Sequence, residues 1–193
     1  MSTIIHTYPL DNYVMSLRDP VPIQDATMDN FLERLQSDVQ NYGPRISVGA
    51  IFLTHIHKYP HILLLHSPGP RGFLLPGGRL DPGEGETDGL KRQLSTKLNP
   101  NLSIHWDIGE HAGTFYRPEL GPRMLPFLPP HVSSAKETLK VYLVQLPPTA
   151  EFIQAKNNKL VAVPLHELYN DKERYGYLSE IPCLLSRISI VSS

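Results

Sequence analysis

The chain of 193 residues has little cysteine, little net charge and no long apolar run. Its one cysteine, Cys183, excludes an intramolecular disulfide framework and a zinc site built from several cysteines, and it favours a reducing compartment. Eighteen lysines and arginines stand against nineteen acidic residues, so the net charge of −1 creates no general positive field for nucleic acid or an anionic membrane. Any binding of nucleic acid must therefore be local.

Nothing in the sequence predicts export or a membrane span. Residues 1–8 lack a basic stretch followed by an apolar run and a small-residue cleavage site. Apolar runs such as residues 62–65 are far shorter than the ~18 residues that a membrane helix needs. The length and the 40% hydrophobic content fit one globular domain, in which we expect residues 1–44 to form an N-terminal arm and helix packed on a domain of residues 45–193.

The apolar patterns predict strands interleaved with helices. Residues 26–42 carry apolar side chains at three-to-four spacing, which predicts a helix capped by Asp25 or Thr27, and residues 8–21 are expected to form an extended arm. We expect strands at residues 46–56, 61–66, 73–75, 105–116, 138–146 and 160–163, a turn at residues 58–60, and further helices at residues 86–98, 164–169 and 179–190. This order favours an α/β sandwich over an all-β barrel.

Residues 118–130 contain five prolines, too many for a helix or a central strand. We expect an ordered surface loop that either covers its own sheet or binds a partner. Because prolines restrict the conformation of the free loop, it would lose less entropy on docking. Leu125 and Phe127 are its apolar anchors and the candidate partner-binding residues.

The stretch LLPGGRLDPGEGETDGLKRQLSTKL, residues 74–98, predicts a short strand, a glycine-rich loop and a helix. Such a loop suits polyphosphate chemistry, because small residues allow the backbone to approach a ligand closely. Gly78, Glu84 and Arg92 have the spacing of the first two thirds of the Nudix box, which this segment resembles. In catalytic members of that family, three glutamates one, four and five positions after the arginine share a helix face and hold magnesium.

At those three positions this chain has Gln93, Thr96 and Lys97. Magnesium needs anionic oxygen ligands, and a lysine beside it would repel it by about 1 kcal/mol at ~4 Å in water. We therefore predict no magnesium-dependent hydrolysis and no cofactor, and we interpret Glu84 and Arg92 as a structural pair that fastens the loop to the helix. The alternative is a working hydrolase of nucleoside diphosphate derivatives that uses irregular ligands from the loop, namely Asp81, Glu84, Glu86 and Asp88.

Beyond the box, the chain resembles the small subunit of cleavage factor I, the Nudix-fold cleavage and polyadenylation specificity factor subunit 5 family of pre-mRNA 3′-end processing. The resemblance is carried, in order, by residues 8–13, 59–66, 75–92, 116–132, 136–147, 158–169 and 174–187. It implies an α/β/α sandwich with a mixed sheet, and a nuclear, non-catalytic homodimer. It also implies that the homodimer binds RNA and a larger subunit bearing an RNA-recognition domain.

The resemblance points to three RNA-binding candidates. Tyr175 matches a family tyrosine in a late Tyr-Gly segment, and Phe73 lies near a stacking aromatic, whose aligned position is Gly72 because the preceding loop is one residue longer here. Arg71, beside Phe73, can reach a phosphate or a base edge. Unpaired bases are commonly held by stacking on aromatic rings. Packing in the core and a solvated loop arginine are the alternative interpretations.

In the family, polar side chains read the element UGUA, and the corresponding positions here are Ile23, Phe31 and Gly49. None of these side chains can hydrogen-bond a base edge. We therefore expect weak binding of short single strands without a preference for UGUA. A protein scaffold that has lost RNA binding is the remaining alternative.

Four histidines and the one cysteine are further residues whose side chains could have a chemical role. His55, His57, His61 and His66 fall on or beside a predicted hairpin, but no cysteine or carboxylate has ligand-like spacing around them, so we expect no metal site. Cys183 lies near three apolar residues of a predicted helix and is expected to be a small core residue.

Overall fold

The computed structural model describes residues 3–193, and its centre is a seven-stranded mixed sheet. The strands are β1 Ile4–Thr7, β2 Tyr13–Arg18, β3 Arg45–Ile56, β4 Tyr59–His66, β5 Phe73–Leu74, β6 Gly77–Arg79, β7 Asp107–Arg117, β8 Glu137–Gln145, β9 Ala150–Ala155, β10 Lys159–Pro164 and β11 Ser189–Ser192. The helices are α1 Met28–Tyr42, α2 Glu86–Leu98, α3 Leu165–Asn170, α4 Lys172–Tyr175 and α5 Ile181–Leu184. Short 3₁₀ turns cover Leu10–Asn12, Gly176–Glu180 and Leu185–Arg187.

Strand β3 lies in the middle of the main sheet. The strand order is β10-β4-β3-β8-β7, with β5 beside β4 and β6 beside β3. Strand β3 runs parallel to β8 and antiparallel to β4 and β6. Nine consecutive residues of β3 are buried, which is expected for a strand covered on both faces.

The two faces of the sheet carry separate hydrophobic cores. On one face, Ile51 and Leu53 of β3 pack with residues of the C-terminal helices such as Leu168 and Ile181. On the other face, Phe52 packs with the fully buried leucines of α2, Leu90, Leu94 and Leu98. Helices thus cover both faces of a mixed sheet, and the predicted α/β/α sandwich is confirmed.

Helix α1 begins where the sequence predicts a cap. The hydroxyl oxygen of Thr27 accepts a hydrogen bond from the backbone N–H of Asn30 at 3.2 Å, so Thr27 rather than Asp25 is the capping residue. The helix ends at Tyr42 and is followed by Gly43, whose φ of 83° favours glycine. No helix among residues 3–193 is both long and apolar enough to cross a membrane.

The N-terminal arm takes part in two small sheets that the sequence did not predict. Strand β1 pairs in parallel with β11, and β2 pairs in parallel with β9. The pairing with β1 explains why the helix predicted at residues 179–190 is wrong. That segment is broken into the short helix α5, a 3₁₀ turn and the start of β11, because its end must be extended to pair with the arm.

Two smaller predictions are also wrong. The hairpin turn lies at His57 and Lys58, with φ of 49° and 68°, rather than at residues 58–60, and β4 begins at Tyr59. This two-residue turn with two positive φ values matches the twist of the adjoining strands. Cys183 is exposed rather than part of the core, because the short helix α5 buries Ile181 instead.

Candidate functional site

The degenerate Nudix box lies on β6, the following loop and α2. Residue Gly77 has a φ of 150°, and a Cβ built there would lie 2.1 Å from the backbone oxygen of Val48. Its neighbour Gly78 pairs with Val48 across the two strands, and a Cβ at Gly78 would lie 2.6 Å from Oε1 of Gln93. Glycine is therefore needed at Gly77 for β6 to pack against β3, whereas a Cβ at Gly78 would displace the end of the Gln93 side chain.

Glu84 and Arg92 form a bidentate ion pair between the loop and α2. Nε and Nη2 of Arg92 each donate to a carboxylate oxygen of Glu84 at 2.7 Å, and the backbone N–H of Asp81 donates to Glu84 at 2.9 Å. The hydrogen bonds from Arg92 are the main reason that the pKa of Glu84 falls from 4.5 to about 2. Gly89 lets α2 approach, since a Cβ there would lie 2.1 Å from Cδ2 of Leu80.

We predict that Glu84→Gln destabilises the protein more at neutral pH than in acid. Because the pKa of Glu84 is lowered on folding, its charge contributes stability above the unfolded pKa of about 4.5, and this contribution is lost as the pH falls toward 2. Urea unfolding across this range measures the difference between wild type and variant. The difference should shrink in acid, and the exposed Glu119→Gln serves as the control. A difference that stays constant with pH would contradict the pairing.

The three positions that hold glutamates in catalytic Nudix proteins supply hydrogen-bond donors here. Nε2 of Gln93 donates to the backbone oxygen of Arg79 at 2.8 Å, and Nζ of Lys97 donates to the backbone oxygen of Gly77. The hydroxyl of Thr96 donates to the backbone oxygen of Arg92 within α2. Two of the three side chains thus tie α2 to β6, and none offers a carboxylate to a metal ion.

Three of the four loop carboxylates that could act as irregular ligands are paired with cations. Glu86 accepts hydrogen bonds from Nζ of Lys140 and the hydroxyl of Tyr142, and the hydrogen bond from Lys140 is the main reason its pKa is lowered. Asp81 lies 3.4 Å from Arg92. Among residues 3–193, no group of three or more histidine, cysteine, aspartate or glutamate side chains could hold a metal ion. His55 instead hydrogen-bonds the hydroxyl of Thr7, and His61 the backbone oxygen of Tyr59.

A groove of about 1420 Å³ opens beside β6 and the end of α2, and we call it the basic groove. Ten arginine and lysine side chains line it against four acidic ones, which gives its walls a net charge of +6. The net charge of the whole chain is −1, so the positive charge is concentrated locally. A groove of this kind attracts an anionic ligand that the rest of the surface does not.

Two of the three RNA-binding candidates contact each other in the groove. The ring centroids of Phe73 and Tyr175 are 5.0 Å apart, and the guanidinium of Arg174 lies 5.3 Å from each ring. Phe73 is partly exposed, whereas Tyr175 is 4% exposed and donates its hydroxyl hydrogen to Glu167 at 2.7 Å. The sequence interpretation missed Arg174, although its place next to Tyr175 was a usable signal. The exposed His66 contacts the ring of Phe73 at 4.7 Å.

Arg71, the third candidate, lines the same groove but is directed to Phe31. Its guanidinium lies 4.6 Å from the centre of the Phe31 ring, and it forms no hydrogen bond or ion pair with any residue from 3 to 193. Burial lowers its pKa. The three positions aligned with the polar readers of the family differ in their surroundings. Phe31 is fully buried, and Ile23 is 56% exposed at the groove. Gly49 is closely packed, since a Cβ there would lie 3.1 Å from Cβ of Leu75. Phe31 occupies a position where the family has a polar side chain that reads RNA. Here the guanidinium of Arg71, from another segment of the chain, lies over the ring of Phe31.

Glu137 is the acidic centre of the groove floor. Its carboxylate accepts a hydrogen bond from Nε of Arg117 at 3.0 Å and lies 3.6 Å from Nε of Arg45. The hydroxyl of Ser47 donates to the same carboxylate at 3.3 Å. Burial raises the pKa of Glu137, but the positive charges of Arg45 and Arg117 outweigh burial, and the pKa is lowered overall.

The proline-rich loop at residues 118–130 is neither helix nor strand, as predicted. Leu125 and Tyr116 exchange two backbone hydrogen bonds of 2.8 and 2.7 Å, and Met124 is buried in the core. Phe127 is 57% exposed and lines the basic groove with Leu125. The loop therefore covers its own sheet and also presents an apolar ring at the groove.

The sequence of this chain is similar to those of known proteins over most of its length. A Nudix family model described as nucleotide hydrolase matches residues 3–188. The chain is 44% identical to the Arabidopsis thaliana protein named pre-mRNA cleavage factor Im 25 kDa subunit 2, over 97% of this chain and 95% of the relative. It is 40% identical to the Dictyostelium discoideum protein named cleavage and polyadenylation specificity factor subunit 5, over 87% of this chain and 86% of the relative.

Among solved structures, a C. elegans Ap4A hydrolase in a binary complex superimposes with a TM-score of 0.53 at 18% identity, over 74% of this chain and 95% of that one. At that identity the similarity concerns the fold alone. The matches in sequence, by contrast, cover almost the whole of both chains. This chain therefore belongs to the Nudix-fold family that includes the cleavage factor Im 25 kDa subunits and cleavage and polyadenylation specificity factor subunit 5.

Proposed function

We propose that this chain is a non-catalytic subunit of the nuclear machinery that cleaves and polyadenylates pre-mRNA, and that it binds single-stranded RNA in the basic groove. The names of its relatives support a role in mRNA 3′ processing. The observation that carries the non-catalytic part is the face of α2, where Gln93 and Lys97 donate hydrogen bonds to β6 in place of metal-binding glutamates.

The basic groove supports RNA binding through stacking and charge. The partly exposed ring of Phe73 is the surface on which a base can stack, and the buried Tyr175 beneath it holds that ring in place. Arg174 lies over both candidate rings, Arg71 lines the same groove, and both can contact phosphates or base edges. Stacking and phosphate contacts tolerate sequence changes, so we propose weak discrimination between UGUA and other short strands.

The Phe73→Ala variant is expected to weaken binding of a short single-stranded RNA by about 5- to 150-fold, which is the effect of losing one stacked base worth about 1–3 kcal/mol. Fluorescence anisotropy with a UGUA-containing and a scrambled oligonucleotide measures the change. Tyr59→Ala is the matched control, because Tyr59 is an aromatic residue that is 67% exposed and lies outside the groove.

Three other results of this titration would contradict parts of the proposal. Equal losses in Phe73→Ala and Tyr59→Ala would contradict a stacking site in the groove. Binding that is tight and selective for UGUA would contradict weak discrimination and would show that backbone groups or Arg71 read the bases. Failure of the wild-type protein to bind either oligonucleotide would favour a protein scaffold without RNA binding.

A hydrolysis assay tests whether the protein is non-catalytic. ADP-ribose and dinucleoside polyphosphates are incubated with the protein and magnesium, and we expect no release of product because α2 has no carboxylate on the metal-binding face. Turnover that requires magnesium and disappears in Glu84→Gln would overturn this assignment. It would favour the alternative of an active hydrolase with irregular ligands.

The proposal also includes a homodimer that binds a larger cleavage factor subunit with an RNA-recognition domain. Leu125 and Phe127 are the proposed partner-binding residues, since Phe127 is an exposed apolar ring on a loop whose backbone is fixed. Such a ring can enter a pocket on a partner with little loss of loop entropy. Light scattering at micromolar concentration tests the dimer, and a monomer there would contradict it.

A further inference from the structure

The floor of the basic groove contains positive charge that its carboxylates do not balance. The side chain of Arg45 is 9% exposed, and among residues 3–193 its buried Nη1 atom has no hydrogen-bond partner. Its nearest acidic partner is Glu137, at 3.6 Å from Nε, and Glu137 already accepts a hydrogen bond from Arg117. A buried guanidinium with an unsatisfied donor is costly unless an anion pairs with it.

Lys97 and Arg71 add two more cations to this floor. Nζ of Lys97 donates to the backbone oxygen of Gly77. Burial is the main reason that the pKa of Lys97 falls from 10.5 to about 8, and the positive charges of Arg71 and Arg45 lower it further. All three side chains line the basic groove, although they come from three separate segments. Arg71 forms no hydrogen bond or ion pair with any residue from 3 to 193.

We propose that Arg45, Arg71 and Lys97 form a metal-independent site for a doubly charged phosphate group, such as the 5′-terminal phosphate of an RNA or the terminal phosphate of a nucleotide. The ammonium group of Lys97 projects from the face of α2 on which catalytic Nudix proteins carry their magnesium ligands. A protein cation thus takes the place of the metal ion as the partner of the phosphate oxygens.

The charge balance favours a terminal phosphate over a phosphodiester. A phosphomonoester carries a charge of about −1.5 to −2 at neutral pH, whereas a diester carries a single negative charge. With Glu137 shared by Arg45 and Arg117, the floor needs more than one negative charge to be neutralised. Guanidinium groups bind phosphate oxygens through paired hydrogen bonds, and the ammonium acts as a point charge. This site does not depend on stacking at Phe73.

The test measures binding in the presence of EDTA with four probes: inorganic phosphate, uridine 5′-monophosphate, and one short RNA with either a 5′-phosphate or a 5′-hydroxyl. We expect the 5′-phosphorylated RNA to bind at least about tenfold more tightly than the 5′-hydroxyl form. Inorganic phosphate should reduce this advantage by competition. Lys97→Met should abolish the advantage, whereas Lys91→Met, at an exposed position on the same helix, should retain it.

A second measurement does not rely on a variant that must fold. The pKa of the Lys97 ε-amine, followed by NMR in the full-length wild-type protein, should rise when inorganic phosphate is added, because an anion stabilises the charged form. If phosphate and the monophosphate bind but the two RNA forms bind equally, the site belongs to a free nucleotide or phosphate.

Three results would overturn the proposal: no phosphate-dependent change at Lys97 together with equal affinity for both RNA forms, an advantage that survives Lys97→Met, or binding that EDTA abolishes. Failure of RNA binding in the groove is distinguishable from these. Phe73→Ala should weaken both RNA forms equally while leaving the response of Lys97 to inorganic phosphate unchanged.

Discussion

Replacing Glu137 by glutamine is expected to lower the free energy of unfolding by about 3–5 kcal/mol, the usual cost of removing one partner from a buried ion pair. The side chains of Glu137, Arg45 and Arg117 are 6%, 9% and 5% exposed, so solvent screens their charges only weakly. The amide keeps the size of the side chain but leaves two buried guanidinium groups without their shared counter-charge. Urea unfolding at neutral pH measures the change.

Glu180→Gln is the matched control, since Glu180 also lines the groove but is 35% exposed and pairs at 3.4 Å with Lys172, which is 65% exposed. We expect its effect to remain below about 1 kcal/mol. Because the pKa of Glu137 is lowered on folding, the effect of its substitution should be full above the unfolded pKa and should decrease as the pH falls below it. Equal effects of the two substitutions would contradict the central role of Glu137.

Lys97→Met is expected to stabilise the protein at neutral pH by on the order of 2 kcal/mol. Lowering the pKa of a buried lysine from 10.5 to about 8 corresponds to a penalty of about 3 kcal/mol for its charge, and losing the hydrogen bond to Gly77 offsets about 1 kcal/mol. Methionine fills a similar volume without a charge. Stabilisation of this kind accompanied by loss of a ligand is typical of functional sites.

The stabilisation by Lys97→Met is expected to depend on pH. Below about pH 8, Lys97 is charged in both the folded and the unfolded protein, and its penalty is fully present. Between about pH 8 and the unfolded pKa of 10.5 the folded protein loses the proton first, so the advantage of methionine should shrink as the pH rises. Lys91→Met is the control. Destabilisation by Lys97→Met at neutral pH would show that Lys97 is well paired.

Local patterns in the sequence predict most of the main sheet and its helices. The predicted helix at residues 86–98 has the bounds of α2, and β3, β8 and β10 lie within one or two residues of their predicted ranges. These elements have strong apolar periodicity and clear glycine or proline boundaries. The parallel pairings of the arm were not predicted, because each joins segments more than a hundred residues apart and leaves no local signal.

In the candidate site, too, features within one segment could be predicted, and contacts between distant segments could not. The missing metal ligands at Gln93, Thr96 and Lys97 can be read from spacing alone, since they lie on one helix. The balance of charge around Glu137 cannot, because Arg45 and Lys97 are supplied by β3 and α2 and meet only in the folded protein. A nearly neutral chain can therefore contain a groove with a net charge of +6.

The most direct test of RNA binding in the basic groove is photo-crosslinking of the full-length protein to a short 4-thiouridine RNA, followed by mass spectrometry of the linked peptides. We predict crosslinks to the peptides that carry Phe73 and Tyr175, and competition by unlabelled single-stranded RNA. Crosslinks confined to surfaces outside the groove, such as the turn at His57 and Lys58, would contradict the account.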